Sequence, residues 1–469
     1  MQILHALLGF LQPAPYKDEI EDKNVVKKEY TYWRYRVFFS MFFGYALYYF
    51  TRKGLSIIMP TLIADLQFDK SDLGLVSSVW AISYGVSKFV SGVLGDKSNA
   101  RSFMAFGLAI TGLCNILFGL SSSLSFFMLC WALNGWFQGF GWPSCARLLT
   151  HWYSQSERGK WWGFWNASHN IGGAIIPLAT AYFAYHYGWR TAMILPGVIS
   201  MAMSVVLLKC LCDTPQSLGL PPIEKHRNDY PSGQAKNEKE HELTVKEILF
   251  SYVLNNPYIW LLAVGYFFVY IVRHAVGEWS LLYLVEAKNY TTIEASRVVF
   301  WFDIGGMFGG LAAGWMSDSL FSSKRAPSMI FFAIATAAVL LGMWFCPVEV
   351  YILDAILLFA AGFFIFGPQM LIGMMAAEIA HKKAAATASG FTGCAAYLGA
   401  AVAGFPLGYL LQNFGWTAFF LALSVCGSIA ALLLMPLWNI KSREDCLAKE
   451  EPASISETIE QEVDARPAS

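Results

Sequence analysis

The chain has 469 residues, 56% hydrophobic and only 14% charged, with a formal net charge of zero. Soluble domains carry roughly a quarter charged residues, so this composition excludes a soluble globule; the abundant Phe, Trp and Gly fit apolar helices with interfacial aromatics and close helix contacts in lipid. Neutral balance gives no argument for a nucleic-acid partner, and none is expected.

In chain order, Met1 to Leu11 is apolar but lacks a basic start and is followed by Pro13 and Pro15, so residues 1–34 read as an N-terminal segment with a short interfacial helix rather than a leader. About twenty apolar residues cross a bilayer, and twelve blocks of that kind follow. They span 35–60, 73–95, 102–121, 124–148, 161–185 and 190–212 in residues 35–212, then 257–284, 296–317, 328–346, 350–376, 385–411 and 415–438 in residues 257–438. The polar stretch between the sixth and seventh blocks, 213–256, reads as a solvated linker dividing the chain six plus six. Residues 439–469 are acidic, Ser-bearing and without apolar periodicity, which predicts a disordered tail. The fold class is thus all-α, a membrane protein of twelve transmembrane helices in two six-helix halves.

Lys and Arg in short loops set orientation. Lys17, Lys23, Lys27, Lys28 and Arg34, and the turns with Lys97 and Arg101, Arg158 and Lys160, Lys324 and Arg325, Lys382 and Lys383, fall on one side. Both termini and the linker are expected on the cytoplasmic side. The halves also repeat one another, a transporter signature: Gly92-Val93-Leu94-Gly95-Asp96 recurs as Gly314-Trp315-Met316-Ser317-Asp318, each followed by basic residues at the end of its half's second helix.

Charges inside spans are costly and mark function. Arg52 lies deep in the first block and Arg273 deep in the seventh, 44 and 45 residues before Asp96 and Asp318 respectively, at matching depths of corresponding helices. Two symmetry-related guanidinium groups make a fork-shaped clamp for one anion, and phosphate suits it because each planar donor set binds two oxygens. The opposing reading pairs each arginine with a carboxylate, with Glu278, Asp303, Asp354 and Glu378 available. Lys53 and Lys88 add positive charge, and Glu278 and Asp303 look like partners for these lysines.

Tyr45, Tyr49 and Arg52 share one helical stripe, and Tyr270 stands three before Arg273. His169 shares a stripe with Asn166 and Gly173; packing and ligand roles are equally open to it. Asn134 and Gln138, four apart, suit a sugar's hydroxyls or packing between helices equally well. Nine cysteines lack zinc or disulfide spacing, and no nucleotide loop or nucleophile constellation occurs, so neither a metal nor a cofactor is expected and a membrane-embedded phosphatase is disfavoured.

The chain resembles the organophosphate:phosphate antiporter family of the major facilitator superfamily over essentially its full membrane domain. The resemblance lies in Tyr48-Tyr49-Phe50-Thr51-Arg52-Lys53, Tyr84-Gly85-Val86-Ser87-Lys88-Phe89, Gln138-Gly139-Phe140-Gly141-Trp142-Pro143, Gly163-Phe164-Trp165-Asn166-Ala167-Ser168-His169-Asn170 and Gly314-Trp315-Met316-Ser317-Asp318. It implies a monomeric, multi-pass inner-membrane carrier exchanging a sugar phosphate, most simply glucose 6-phosphate, for inorganic phosphate by rocking of the halves. It further implies that Arg52 and Arg273 bind the phosphoryl group with help from Lys88 and His169, and that Tyr45, Tyr49, Tyr270, Tyr397 and Gln138 line the pocket. Lys53, Glu278 and Asp303 match its interdomain ion pairs. Where hexose-phosphate members carry an Asp and a Lys, this chain has Ser389 and Thr392, a difference bearing on substrate choice. Receptor-like members sense external hexose phosphate, which leaves a sensor with a signalling partner as the alternative.

Overall fold

The computed structural model describes residues 11–96, 98–229, 250, 253–322, 324–348, 350–380 and 385–440, with some helical side chains, including Asp96, Asn166 and His169, outside that set. The expected interfacial helix, most of the expected linker and the C-terminal tail therefore lie outside the described residues.

The first half comprises α1 (Lys23–Leu66), α2 (Lys70–Asp96), α3 (Ala100–Leu120), α4 (Leu124–Gln138), α5 (Gly141–Trp152) and α6 (Gln155–Cys210). A short α7 (Ile223–Arg227) follows, then α8 (Pro257–Lys288), α9 (Thr292–Ser319), α10 (Arg325–Phe345), α11 (Tyr351–Ile379) and α12 (Ala385–Leu434).

Among the described residues, eight helical segments are long and apolar enough to cross a membrane. Two of these, with 40 and 51 residues, are about 60 Å and 76 Å long at 1.5 Å per residue, enough for two crossings each of a ~30 Å core. α1, with Thr51-Arg52-Lys53 in its middle, adds one crossing, and α4 with α5, interrupted at Gly139-Phe140, adds another. The sum is twelve, and the architecture is the major-facilitator fold.

The two long helices break at equivalent places. Gly188 has φ +82° in α6 and Gly415 has φ +75° in α12, a region that glycine enters without a Cβ penalty. Each is followed by Trp, in Tyr187-Gly188-Trp189 and Phe414-Gly415-Trp416. Arg190 closes the first break by donating to the Gly119 and Ser121 carbonyls at 3.1 and 2.7 Å. This second repeat strengthens the pseudo-symmetry seen in the Gly-x-x-x-Asp turns. In the second half Asp318 pairs with Arg325 at 2.5 Å.

The start of the linker is packed rather than solvated. Asp213 is buried because it accepts from the Ala100 amide at 2.9 Å, capping α3, and from Arg147 Nε at 3.0 Å. Tyr30 of α1 donates to the Pro221 carbonyl and stacks on His226 at 4.1 Å. These contacts fix the linker end of the bundle.

At the opposite end the halves meet. α2 and α12 run antiparallel there: the Lys70 amide donates to Gln412 Oε1, and Lys70 Nζ lies 2.7 Å from Glu286 of α8. A Cβ on Gly74 would meet the Gly404 carbonyl at 2.6 Å, and one on Gly404 the Gly74 carbonyl at 2.5 Å. The Ser78 hydroxyl donates to the Ala401 carbonyl at 2.5 Å and accepts from the Phe405 amide at 2.7 Å. Those two groups are the i and i+4 partners that an α-helix normally bonds to each other, so α2 inserts a hydroxyl into the ladder of α12. Toward the linker end the same helices diverge. A Cβ on Gly85 still meets Tyr397, whereas Gly92, Gly390 and Gly393 face nothing within 4 Å among the described residues.

Candidate functional site

Midway along the bundle a cavity of ≈ 60 Å³ is lined from both halves. α1 gives Tyr49, Arg52, Lys53 and Ser56; α2 gives Ser77 and Trp80; α8 gives Arg273, His274 and Glu278; α9 gives Asp303; α11 gives Phe366. The two arginines expected at matching depths thus face one space.

Each guanidinium rests on aromatic rings rather than on an acid. Arg52 Cζ lies 4.3 Å from the Trp80 ring centre, 5.3 Å from Tyr49 and 5.4 Å from Tyr84. Arg273 Cζ lies 4.7 Å from Phe366 and 5.5 Å from Tyr270, and its buried Nε has no hydrogen-bond partner among the described residues. Ring quadrupoles attract a cation by about 0.5–2 kcal/mol without neutralising it, so the positive charge stays available to an anion.

Three of the four carboxylates that could have quenched the arginines are engaged elsewhere. Asp303 lies 2.5 Å from Lys53, joining α9 to α1 across the halves. Asp354 pairs with Lys288 at 3.3 Å and accepts from Tyr290 at 2.7 Å, while Glu378 pairs with Arg325 at 2.9 Å. Among the described residues neither Arg52, Arg273 nor Lys88 has an ion pair. Glu278 stands apart from the Lys53 pair, and the nearest basic group is His274 one turn back on α8, with Nδ1 to Oε1 3.7 Å.

Lys88 sits toward the linker side, its Nζ 5.4 Å from the Tyr397 ring and 5.9 Å from Trp142. Tyr397 also meets Tyr84 at 4.7 Å and Tyr270 at 5.4 Å, so tyrosines of α2, α8 and α12 close one wall between the cavity and Lys88. Tyr45 is buried behind that region against Trp165, at 4.8 Å.

Gln138, Ser389 and Thr392, like Lys88, Tyr45, Tyr270 and Tyr397, are not among the residues that line the cavity. Gln138 is buried and donates to the Tyr48 carbonyl at 2.9 Å and Thr51 Oγ1 at 3.0 Å, so its amide fastens α4 to α1. Ser389 donates to the Gly373 carbonyl and Thr392 to carbonyls of its own helix. In apolar surroundings a hydroxyl or amide takes the nearest free acceptor, and here that acceptor is backbone. Asn134 likewise links Thr51, Thr111, Asn115 and Trp80. The side chains of His169 and Asn166 lie outside the described residues.

Sequence reasoning missed Trp80, Ser77, Phe366 and His274. Trp80 had a signal in its i, i+4 spacing from Tyr84, which stacks on it at 5.1 Å. His274 follows Arg273 directly, but its direction about the helix is not set by that adjacency.

Comparison with known proteins agrees with this architecture. The model of the Major Facilitator Superfamily matches residues 41–404. The chain is 55% identical over 439 residues to a probable hexose phosphate transport protein of Chlamydia pneumoniae, covering 92% of this chain and 96% of that one. It is 47% identical to the membrane sensor protein UhpC of Salmonella typhimurium, covering 93% and 98%. To a glycerol-3-phosphate transporter of Bacillus subtilis it is 40% identical, covering 94% and 100%. In fold it is similar to a bacterial homologue of the human lysosomal transporter Spinster, solved inward-facing and unoccupied, with a TM-score of 0.69, 14% identity and coverage of 87% and 95%. With a family model over most of the chain and near full-length relatives well above 30% identity, this multi-pass protein belongs to the Major Facilitator Superfamily, in its organophosphate:phosphate antiporter family.

Proposed function

We propose that this protein takes up a sugar phosphate, glucose 6-phosphate foremost, in exchange for inorganic phosphate by alternating access of its two halves. The observation that carries this reading is the cavity with Arg52 and Arg273, one from each half, caged by rings and without an ion pair among the described residues. Two uncompensated cations resist the closure that brings them together, and a phosphoryl group of charge about −1.5 to −2 relieves that repulsion. Reorientation of the empty site is therefore slow and movement is exchange. The names of the relatives, hexose phosphate and glycerol-3-phosphate transport, support an organophosphate as the solute.

Arg34, Arg101, Arg147, Lys324 and Arg325 gather at the linker end, which by the positive-inside rule is cytoplasmic. On that reading both termini are cytoplasmic, the membrane is a bacterial inner membrane, and a seam closed at the far end with helices diverging at the linker end is an inward-facing arrangement. One chain supplies both arginines, so a monomer suffices. Lys88 and His169 are assigned to assist the phosphoryl group.

Purified protein in proteoliposomes tests the proposal. Vesicles loaded with phosphate should accumulate external labelled glucose 6-phosphate, and phosphate-free vesicles should take up little. Equal uptake in both rejects antiport. Saturable binding without flux in either assigns the protein to sensing, the role printed for its 47% identical relative. Stronger competition by glycerol 3-phosphate or phosphoenolpyruvate than by glucose 6-phosphate moves the substrate away from hexose phosphate.

A further inference from the structure

His274 and Glu278 line the same cavity as the arginines but have no place in a phosphate clamp. His274 is 6% exposed, and its Nδ1 is turned to Glu278 Oε1 at 3.7 Å. The other ends of both groups, His274 Nε2 and Glu278 Oε2, are buried and have no hydrogen-bond partner among the described residues. Buried polar atoms left in this way cost free energy, and each such atom in a native structure calls for an explanation. Here the two stand on one helix, a single turn apart, on the wall of the cavity that the arginines also line.

The chemistry of the two atoms says what would satisfy them. A carboxylate oxygen only accepts, and an imidazole with Nδ1–H turned to a carboxylate presents Nε2 as an acceptor. Two adjacent acceptors need donors. A fully ionised phosphoryl group has none to give, and Glu278 repels it; ring hydroxyls of a sugar provide donors in pairs. Ser77, whose hydroxyl interacts with the Glu278 carboxylate, and Ser56, which already donates to the Lys53 carbonyl at 2.9 Å, also line the cavity.

We propose that His274 and Glu278 form a hydroxyl-binding subsite that receives the polyol part of an organophosphate while Arg52 and Arg273 hold its phosphoryl group. The inference rests on the transport reading above and deepens it. The site then has two poles: a cationic one common to phosphate and organophosphate, and an acceptor pole that only the hydroxylated solute engages. Selectivity for the organic substrate over inorganic phosphate resides in the second pole, on α8, rather than at Ser389 and Thr392, whose hydroxyls are spent on backbone carbonyls.

The test is displacement of labelled phosphate from the full-length protein by glucose 6-phosphate, by unlabelled phosphate and by methyl phosphate, which has the phosphoryl group without the hydroxyls. The readout is the ratio of glucose 6-phosphate affinity to phosphate affinity. His274→Phe and Glu278→Leu should each lower that ratio at least tenfold, the scale expected when hydrogen bonds to a substrate hydroxyl are lost, while leaving the ratio of methyl phosphate to phosphate within twofold. His274→Gln, whose amide oxygen can accept, should restore part of the ratio. Equal weakening of all three ligands, or an unaltered ratio, overturns the subsite. If either variant fails to insert, a series of mono-deoxy glucose 6-phosphates on the unaltered protein decides: at least one deletion must cost tenfold or more, and a flat series overturns the proposal. Failure of glucose 6-phosphate to displace phosphate from the unaltered protein rejects the parent reading instead, and is distinguishable because it requires no variant.

Discussion

Replacing Asp303 by Asn removes the partner of Lys53 and leaves three cations, Lys53, Arg52 and Arg273, around one cavity. In the native protein Lys53 Nζ is 2.5 Å from Asp303 Oδ2, with the lysine side chain 20% and the aspartate 5% exposed. Removing one member of a buried pair costs about 3–5 kcal/mol; the partial exposure of Lys53 puts this case near the lower bound, about 3 kcal/mol. For a half of roughly 200 residues that corresponds to a fall of roughly 6–12 °C in Tm. Thermal unfolding in detergent followed by tryptophan fluorescence measures it directly. Because the stranded cation sits beside the proposed phosphate site, saturating phosphate should raise Tm more in Asp303→Asn than in the unaltered protein. The double variant Lys53→Ala with Asp303→Ala, which removes both charges, should recover at least about 1 kcal/mol relative to the single Asp303→Ala. An unchanged Tm in Asp303→Asn, or a double variant as unstable as the sum of the two single variants, would refute the buried pair as a tie between the halves.

Arg52→Lys and Arg273→Lys should each reduce phosphate binding at least a hundredfold in an equilibrium displacement assay, since an ammonium provides a point charge but not the planar fork; native-like affinity in either well-inserted variant removes that residue from the clamp. Gln138→Ala should lower Tm by an amount matching about 1–3 kcal/mol, the cost of breaking its bonds to Tyr48 and Thr51, with affinity for glucose 6-phosphate changed by less than threefold; a selective affinity loss would return it to the pocket. Gly404→Val, whose Cβ meets the Gly74 carbonyl at 2.5 Å, should prise open the seam and increase maleimide labelling of a cysteine placed at Gln412, and unchanged labelling would show that the seam tolerates the added bulk.

How much of this could be read from the chain depends on the kind of signal. Arg52 and Arg273 were legible because cost and symmetry act together: an arginine in lipid needs a reason, and two at the same distance from a repeated turn share one. The crossings were legible from length and hydropathy, except that α1 continues past the bilayer and the fourth block is interrupted at Gly139-Phe140, where Gly139 packs against Ser87. Gln138 and His274 show where the signal ends. Each is a polar residue in an apolar helix, and whether it faces a cavity or a neighbouring backbone turns on about 100° of rotation, which depends on how the partner helices pack. Glu278 is a similar case: its charge was visible, but Lys53 sits closer to Asp303, and the carboxylate was left to a histidine on its own helix and to the Ser77 hydroxyl of α2.

The seam between α2 and α12 has a thermodynamic consequence of its own. At its centre Gly74 and Gly404 bring backbone against backbone, and Ser78 links to Ala401 and Phe405 through one short side chain. Glycine and alanine have no rotamers to freeze, and serine has few, so engaging and releasing this face immobilises almost nothing, whereas a seam of leucines or lysines would lose about 0.5–2 kcal/mol per ordered side chain at every closure. The centre of a surface that must form and dissolve once in each turnover is thereby kept nearly free of side-chain entropy, and that cost is confined to Lys70, Glu286 and Gln412 at its rim.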